Sequence, residues 1–260
     1  MHATERERLI LELMQPRGFA SYQEFIANLD ASPATIRRDL ERMAQEGQLV
    51  RVRGGAKLPG QPGGGGAVPM LSGVPFHANI CHHRSEKAAI GKAAAALCAP
   101  GEAVMIDGGS TTLQMCPHIE GLHLQVLTNS LHIVDALLPQ QETRVLVPAG
   151  SVFREQNIIL SAAGEESMPR FHAPKLFMGA AAVGPHGIMQ ADVVLVAAER
   201  RLIERAEQIV LLVDSSKFRG PSGNVVCGLE EIDIVITDSG VTDDERRIVE
   251  KAGVQLIIAE

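Results

Sequence analysis

The chain has 260 residues, 45% of them hydrophobic and 21% charged, with a formal net charge of −7. That length suits two domains or one large one, and the apolar fraction supports a real core, which excludes a disordered or fibrous chain. Aromatics are only 3%, with no Trp and a single Tyr, so a base-stacking platform for single-stranded nucleic acid is poorly supplied. The four cysteines, Cys81, Cys98, Cys116 and Cys227, form no Cys-x-x-Cys pair. They read as reduced thiols rather than a zinc ribbon or a disulfide scaffold. The charged start MHATERERLI does not read as a signal peptide, and no stretch approaches the ~20 apolar residues of a membrane span. These features predict a cytoplasmic protein without a membrane partner.

The first predicted element is a helix over 4–14, with Leu9, Ile10, Leu13 and Met14 on one face and Pro16 and Gly18 ending it. A second helix starts at Ser21, with Glu24 three residues on in a capping-box pattern, and Phe25, Ile26 and Leu29 on its apolar side. A third starts at Ser32 with Pro33 in its first turn. Its residues Ile36, Leu40 and Met43 are spaced for one buried face, and Gly47 ends it. LVRVR followed by GGA reads as two short strands around a Gly turn. Residues 1–58 carry nine Lys and Arg against eight Asp and Glu, whereas the rest of the chain carries 15 against 23. The acidic balance therefore lies outside this module, whose bases cluster at Arg37, Arg38, Arg42, Arg51, Arg53 and Lys57.

Three helices and a basic hairpin predict a winged helix-turn-helix over residues 1–57. In such a motif the N-terminal turns of the second helix of the pair enter the major groove. Ser32, Pro33, Thr35 and Arg37 then face outward, while Ile36 and Leu40 point inward. Arg37 or Arg38 can bond a guanine edge bidentately or clamp phosphates. Arg51 and Arg53 on the wing lie along the DNA backbone or minor groove, and Asp39 braces an arginine. The stretch LILELMQPRGFASYQEFIANLDASPATIRRDLERMAQEGQLVRVRGGA resembles the DeoR-family helix-turn-helix almost end to end. Its specific marks are the Pro-x-Thr-Ile-Arg-Arg-Asp-Leu run and the closing Gly-Gly-Ala. The resemblance implies a bacterial regulator, most often a repressor of sugar catabolism, that binds double-stranded operator DNA as an oligomer, a dimer or tetramer. It also implies that Ser32, Pro33, Thr35, Arg37 and Arg38 match the recognition helix.

A Pro- and Gly-rich stretch over 58–75, with four prolines and a run of four glycines, predicts a flexible linker. Residues 76–260 then repeat an apolar strand, a turn and a helix: AVMID, LQVLTN, RVLVPAG, KLFMGAAAV, QIVLLVDSSKF, IDIVITD and VQLIIA. Near-continuous apolar strands between helices imply a mostly parallel sheet covered on both faces. The fold class expected is α/β, an N-terminal winged helix-turn-helix followed by an α/β sensor and oligomerisation domain. Ligands of such sheets sit outside the carboxyl ends of the strands. Three strand ends carry polar groups just before a predicted helix. The first is DGGSTT, Asp107, Gly108, Gly109, Ser110, Thr111 and Thr112, whose backbone N–H groups can line an anion site at a helix start. The second is Thr128 and Asn129. The third runs from Asp214, which can accept sugar hydroxyls, to the cation of Lys217. Together they predict a pocket for a small phosphorylated sugar or polyol.

EKAAIGKAAAALCAPGEAVMIDGGSTT, the Thr-Asn pair and LLVDSSKF resemble the DeoR-family sensor domain over about residues 76–258. The resemblance implies a fold shared with ribose-5-phosphate isomerase and CoA transferases, and phosphorylated sugar intermediates as effectors in this same pocket. The chain departs from many members at Ala149 and Glu199. The Glu199 position and the spacing from Ser161 to Lys217 resemble the branch that contains the L-ascorbate-utilisation repressor, which adds a sugar-acid phosphate to the effectors to be considered. The alternative is an isomerase-like enzyme with an appended DNA-binding module, its base drawn from Asp107, Asp192, Glu199 or Asp214. The N-terminal module favours the regulator, because an isomerase has no need to read DNA. No catalytic residue, cofactor or metal ligand is assigned; Cys81, His82 and His83 are adjacent, and adjacent side chains diverge.

Overall fold

The computed structural model describes residues 3–14, 19–29, 31–52, 55–57, 73–161, 169–221 and 223–260. Most of the expected linker, and Arg53 of the expected wing, lie outside them. The chain divides into two compact units, Met1–Val68 and Pro69–Glu260.

The first unit runs α1 (Ala3–Met14), β1 (Phe19–Ser21), α2 (Tyr22–Asn28), α3 (Pro33–Gln45), β2 (Val50–Val52) and β3 (Gly55–Lys57). α3 begins where Ser32 accepts from the Thr35 N–H, with Pro33 at the first helical position. Gly47, with φ +74°, takes the left-handed conformation that ends it. Ile10, Met14, Phe25, Leu29, Ile36, Leu40 and Met43 are buried together, so three amphipathic helices share one core. β2 and β3 pair antiparallel, as the LVRVR and GGA pattern predicts. β1 adds a third strand on the far side of β3. Its three residues are too few to carry an alternating pattern, and Ser21 is both its last residue and the one before α2.

The second unit opens with α4 (Phe76–Asn79) and α5 (Arg84–Ala95), then β4 (Ala103–Ile106), β5 (Gln125–Thr128), α6 (Leu131–Leu137) and β6 (Arg144–Leu146). A hairpin of β7 (Gly150–Phe153) and β8 (Ile158–Ser161) follows, then β9 (Ala173–Met178), β10 (Ala182–Gly184) and β11 (Gly187–Gln190). The chain finishes with α7 (Val193–Ile203), β12 (Ala206–Leu212), β13 (Asn224–Cys227), β14 (Ile234–Asp238), α8 (Asp243–Lys251) and β15 (Gln255–Ala259). Seven strands form one sheet in the order β15-β14-β12-β9-β4-β5-β6, and every pairing in it is parallel.

Successive residues of these strands enter two different cores. Met105, Leu176, Met178 and Leu211 pack on one face with Leu202, Ile203 and Val249 of α7 and α8. Val104, Ile106, Phe177, Val210 and Leu212 pack on the other with Ile90 and Ala94 of α5. A strand buried on both faces needs apolar residues at every position, which is why these segments read as continuous runs. The run KLFMGAAAV is divided at Gly179: its first half is β9, and its second supplies β10 to a separate antiparallel sheet, β10-β11-β13. Among the described residues no helix is long and apolar enough to cross a membrane, and no group of three His, Cys, Asp or Glu gathers to hold a metal. Cys81 is exposed, Cys98, Cys116 and Cys227 are buried, and all four are free thiols.

Candidate ligand cavity and DNA-facing helix

In α3 the apolar residues turn inward, and Ser32, Pro33, Ala34, Arg37 and Arg38 form an exposed strip, with Thr35 half-buried beside it. The Arg37 guanidinium lies over the ring of Tyr22, 5.7 Å from its centroid. The Tyr22 hydroxyl in turn donates to the Pro33 carbonyl. Tyr22 thus steadies the outward face of α3, a role the sequence reading missed although it is the chain's only tyrosine. Asp39 braces arginines as expected: Arg6 Nε is 2.7 Å from its Oδ2, and Arg42 reaches Oδ1. Arg42 also pairs with Glu7 of α1, so this base is engaged within the unit. Arg51 of β2 is exposed and lies 3.5 Å from Glu41.

In the second unit a cavity of about 380 Å³ opens at the carboxyl ends of β4, β5 and β9 and beside β12. Its floor is Asp107 and the loop Gly108, Gly109, Ser110 and Thr111, with Asn129, Leu212 and Lys217. Seven residues expected at the pocket therefore meet here: Asp107, Gly108, Gly109, Ser110, Thr111, Asn129 and Lys217. Three others lie behind it. Thr112 is fully buried, and its hydroxyl donates to the carbonyls of Asp107 and Gly109 at 2.8 and 3.0 Å. Thr128 accepts from the Ser130 N–H at 3.1 Å. Asp214 caps the short 3-10 helix Ser215–Arg219 that presents Lys217, accepting from the Ser216 N–H at 3.2 Å.

The loop after β4 does not open an α-helix. Thr112–His118 is a seven-residue 3-10 helix with Pro117 inside it. A proline has no N–H to donate and cannot continue an α-helical ladder, so the segment stays short and tight. The loop itself is fixed by Asn129, whose Nδ2 donates to Asp107 Oδ1 while its Oδ1 accepts from the Gly108 N–H, both at 2.8 Å. Burial pushes the Asp107 carboxyl up to about 6, against the opposing pull of those hydrogen bonds.

The roof is the hairpin of β7 and β8, with Phe153, Glu155, Gln156 and Ile158, and the segment Gly73, Val74 and Pro75. The two are stitched together. Phe76 N–H donates to the Glu155 carbonyl at 3.1 Å, and Gln156 Nε2 to the Val74 carbonyl at 3.1 Å. Asn157 Nδ2 lies 3.3 Å from His77 Nε2 and 3.1 Å from His132 Nε2, and the His132 ring stacks on Phe76.

The side walls hold Glu199, which the sequence names as a candidate base of the enzyme alternative, and Asn79, which it does not single out. Glu199 of α7 is buried and lines the cavity; its Oε1 accepts from Gln190 Nε2 at 2.6 Å. Burial first, and then the charge of Asp107, holds the Glu199 carboxyl well above the usual glutamate range, with the Gln190 bond opposing. Lys87 of α5 is 1% exposed and donates to the Asn79 carbonyl at 2.6 Å, so it positions Asn79 on the cavity wall. Burial lowers its pKa, and the charge of Asp214 partly restores it. A signal for Lys87 existed: it shares the 87, 90, 91, 94 spacing of the buried face of α5. A cation on such a face is rare unless it is paired.

A model for the DeoR C terminal sensor domain matches residues 82–239, and one for the DeoR-like helix-turn-helix domain matches residues 6–61. The HTH-type transcriptional regulator UlaR of Shigella dysenteriae serotype 1 (strain Sd197) is 28% identical over 257 residues, 99% of each chain. The protein of the same name from Escherichia coli (strain K12 / DH10B) gives the same identity and coverage. Among solved structures, the probable sor operon regulator from Shigella flexneri aligns with a TM-score of 0.42 and 10% identity, over 66% of this chain and 90% of that one. Ribose 5-phosphate isomerase A from Methanocaldococcus jannaschii aligns with a TM-score of 0.38 and 15% identity, over 52% and 54%.

Proposed function

The chain belongs to the DeoR family of transcriptional regulators, and from that premise we propose that it represses a carbohydrate or sugar-acid catabolic operon until a phosphorylated sugar-type effector releases it. It is a regulator rather than an enzyme. In this reading residues 1–57 bind operator DNA, with Ser32, Pro33, Thr35, Arg37 and Arg38 at the major groove and Arg51 and Arg53 on the wing. Residues 58–75 link them to an effector-binding and oligomerisation domain over 76–260. A cytoplasmic homo-oligomer sets two or more recognition helices on operator half-sites. Effector binding shifts its population to a form whose spacing no longer matches them.

The observation that carries the effector reading is the cavity at the strand ends. Its volume of about 380 Å³ suits a small metabolite. Loop N–H groups and Lys217 offer an anion one side of it, and buried carboxyls offer hydroxyls another. The test is a thermal-shift screen of sugar and sugar-acid phosphates on the whole chain, followed by operator release with the hits. A ligand at 100 times its Kd raises stability by about 2.7 kcal/mol, well within reach of a melting curve. A compound that both stabilises the protein and frees the operator is expected. If no phosphorylated sugar or sugar acid does either, the effector reading fails.

A further inference from the structure

One wall of the cavity has a hydrogen-bonding atom that no described residue satisfies. Glu199 is 4% exposed, and while its Oε1 holds Gln190, its Oε2 is buried without a partner among the described residues. Leaving a buried carboxyl oxygen unanswered is costly, and one that lines a cavity is placed to be completed by a group entering it. The carboxyl is also held still. Gln190 lies in β11, and Asn224 Nδ2 from β13 donates to the carbonyls of Gln190 and Ala191 at 3.3 and 3.1 Å. The carboxyl of Asp107, on the cavity floor, already has one oxygen committed to Asn129. The cation of the cavity, Lys217, belongs to a different element, the 3-10 helix after β12. Glu199 and Asp107 are thus close enough for the charge of one to act on the other, in a cavity that Lys217 and the loop N–H groups also line.

We propose that Glu199 is a specificity-determining residue: its free oxygen, Oε2, hydrogen-bonds a hydroxyl at the uncharged end of the ligand, and the Glu199–Asp107 pair turns away a ligand that carries a carboxylate there. The proposal rests on the phosphorylated-sugar reading above and narrows it, selecting a polyol-like end over an acid end. Burial and the charge of Asp107 raise the Glu199 carboxyl above the usual glutamate range, so negative charge is disfavoured at this place. A ligand carboxylate at this place would add a further negative group beside the pair whose like charge already raises the Glu199 carboxyl.

The test uses matched probes, the alditol phosphates and aldonate phosphates of four, five and six carbons. Each pair differs only in a hydroxymethyl or a carboxylate at the carbon remote from the phosphate. Titration calorimetry on the whole chain should show the alditol phosphate of the best-fitting length binding at least tenfold more tightly than its aldonate. Glu199→Ala should weaken the alditol phosphate about tenfold and leave the aldonate unchanged or improved, so that the preference disappears. Glu199→Gln keeps the shape, one donor and one acceptor, and should retain the alditol's affinity within about threefold; it serves as the folded control if the alanine variant melts early. A wild-type preference for the aldonate overturns the proposal. So does a preference that survives Glu199→Ala, or an equal loss for both probes. Those results leave the phosphorylated-sugar reading standing. If no probe of either kind binds the wild-type chain, that reading falls and the proposal falls with it.

Discussion

Asn129 holds Asp107 in place from the neighbouring strand end, donating to its Oδ1 at 2.8 Å while accepting from the Gly108 N–H with its own carbonyl oxygen. One amide side chain thereby satisfies a buried carboxyl and a buried loop N–H at once. Replacing Asn129 by Ala leaves both without partners. We expect a loss of about 2 kcal/mol or more in urea denaturation, together with weakened effector binding. A loss below about 0.5 kcal/mol would mean that the bridge does not order the loop.

Asp107 also sets a pH dependence. Its pKa is raised from 3.8 to about 6 on folding. The folded chain therefore binds a proton there that the unfolded chain has released. The stability associated with that proton is complete below about 3.8 and is lost as pH rises through about 6. A two-unit difference corresponds to something on the order of 3 kcal/mol, and Glu199, raised in the same sense, adds to it. Asp107→Asn keeps the oxygen that accepts from Asn129 and removes the titration. Relative to the wild type, this variant should gain stability between pH 4 and pH 7. Denaturation curves that stay parallel across that range would refute the assignment.

Lys217→Ala should raise the effector concentration needed for operator release by tenfold or more, since the ammonium is the cation on the cavity wall. Gel-shift titrations with a hit from the phosphate screen measure this directly. An unchanged release curve would remove Lys217 from the effector site.

On α3, Arg37→Ala should weaken operator binding by about 1–3 kcal/mol. If Arg37 reads a base, the loss is confined to sequences carrying that base. If it clamps phosphate, the loss is even across sequences, and the salt slope falls by about one. Tyr22→Phe, which removes the bond to Pro33 but keeps the ring under the guanidinium, should give a smaller loss. Equal binding by wild type and Arg37→Ala would show that the exposed strip of α3 is not the reading face.

Gly108 leaves no room for a side chain. A Cβ there would come within 2.4 Å of Ile158 Cγ2 in the hairpin. Gly108→Ala should cost about 1–3 kcal/mol as an overpacking change. Ile158→Ala removes the Cγ2 methyl that it meets, and the double variant should recover part of the loss. Additive effects in that cycle would mean that the two residues do not touch.

The parts most legible from sequence are those specified locally. Ser32 and Pro33 announce the start of α3, the Ile36, Leu40 and Met43 spacing announces its buried face, and all are observed. The strands of the parallel sheet declare themselves as continuous apolar runs because both faces are covered. What escaped was specified at a distance. Glu199 meets Gln190 nine positions away in sequence only because β11 and α7 pack together, and the β7–β8 turn becomes a roof only by bonding to the segment around Val74. Neither relation leaves a periodic trace. The loop after β4 is legible as a polar strand end, whereas the short 3-10 helix around Pro117 that follows it is not.

The stitched roof has a practical consequence for dissecting the protein. Gly73, Val74 and Pro75 belong by composition to the proline- and glycine-rich spacer, yet they wall the cavity and are held by Glu155 and Gln156. A sensor fragment cut at residue 76 would begin with its roof missing along one side. A fragment starting at residue 73 would keep the enclosure whole, and the difference in ligand affinity between the two would measure how much of the binding belongs to those three residues.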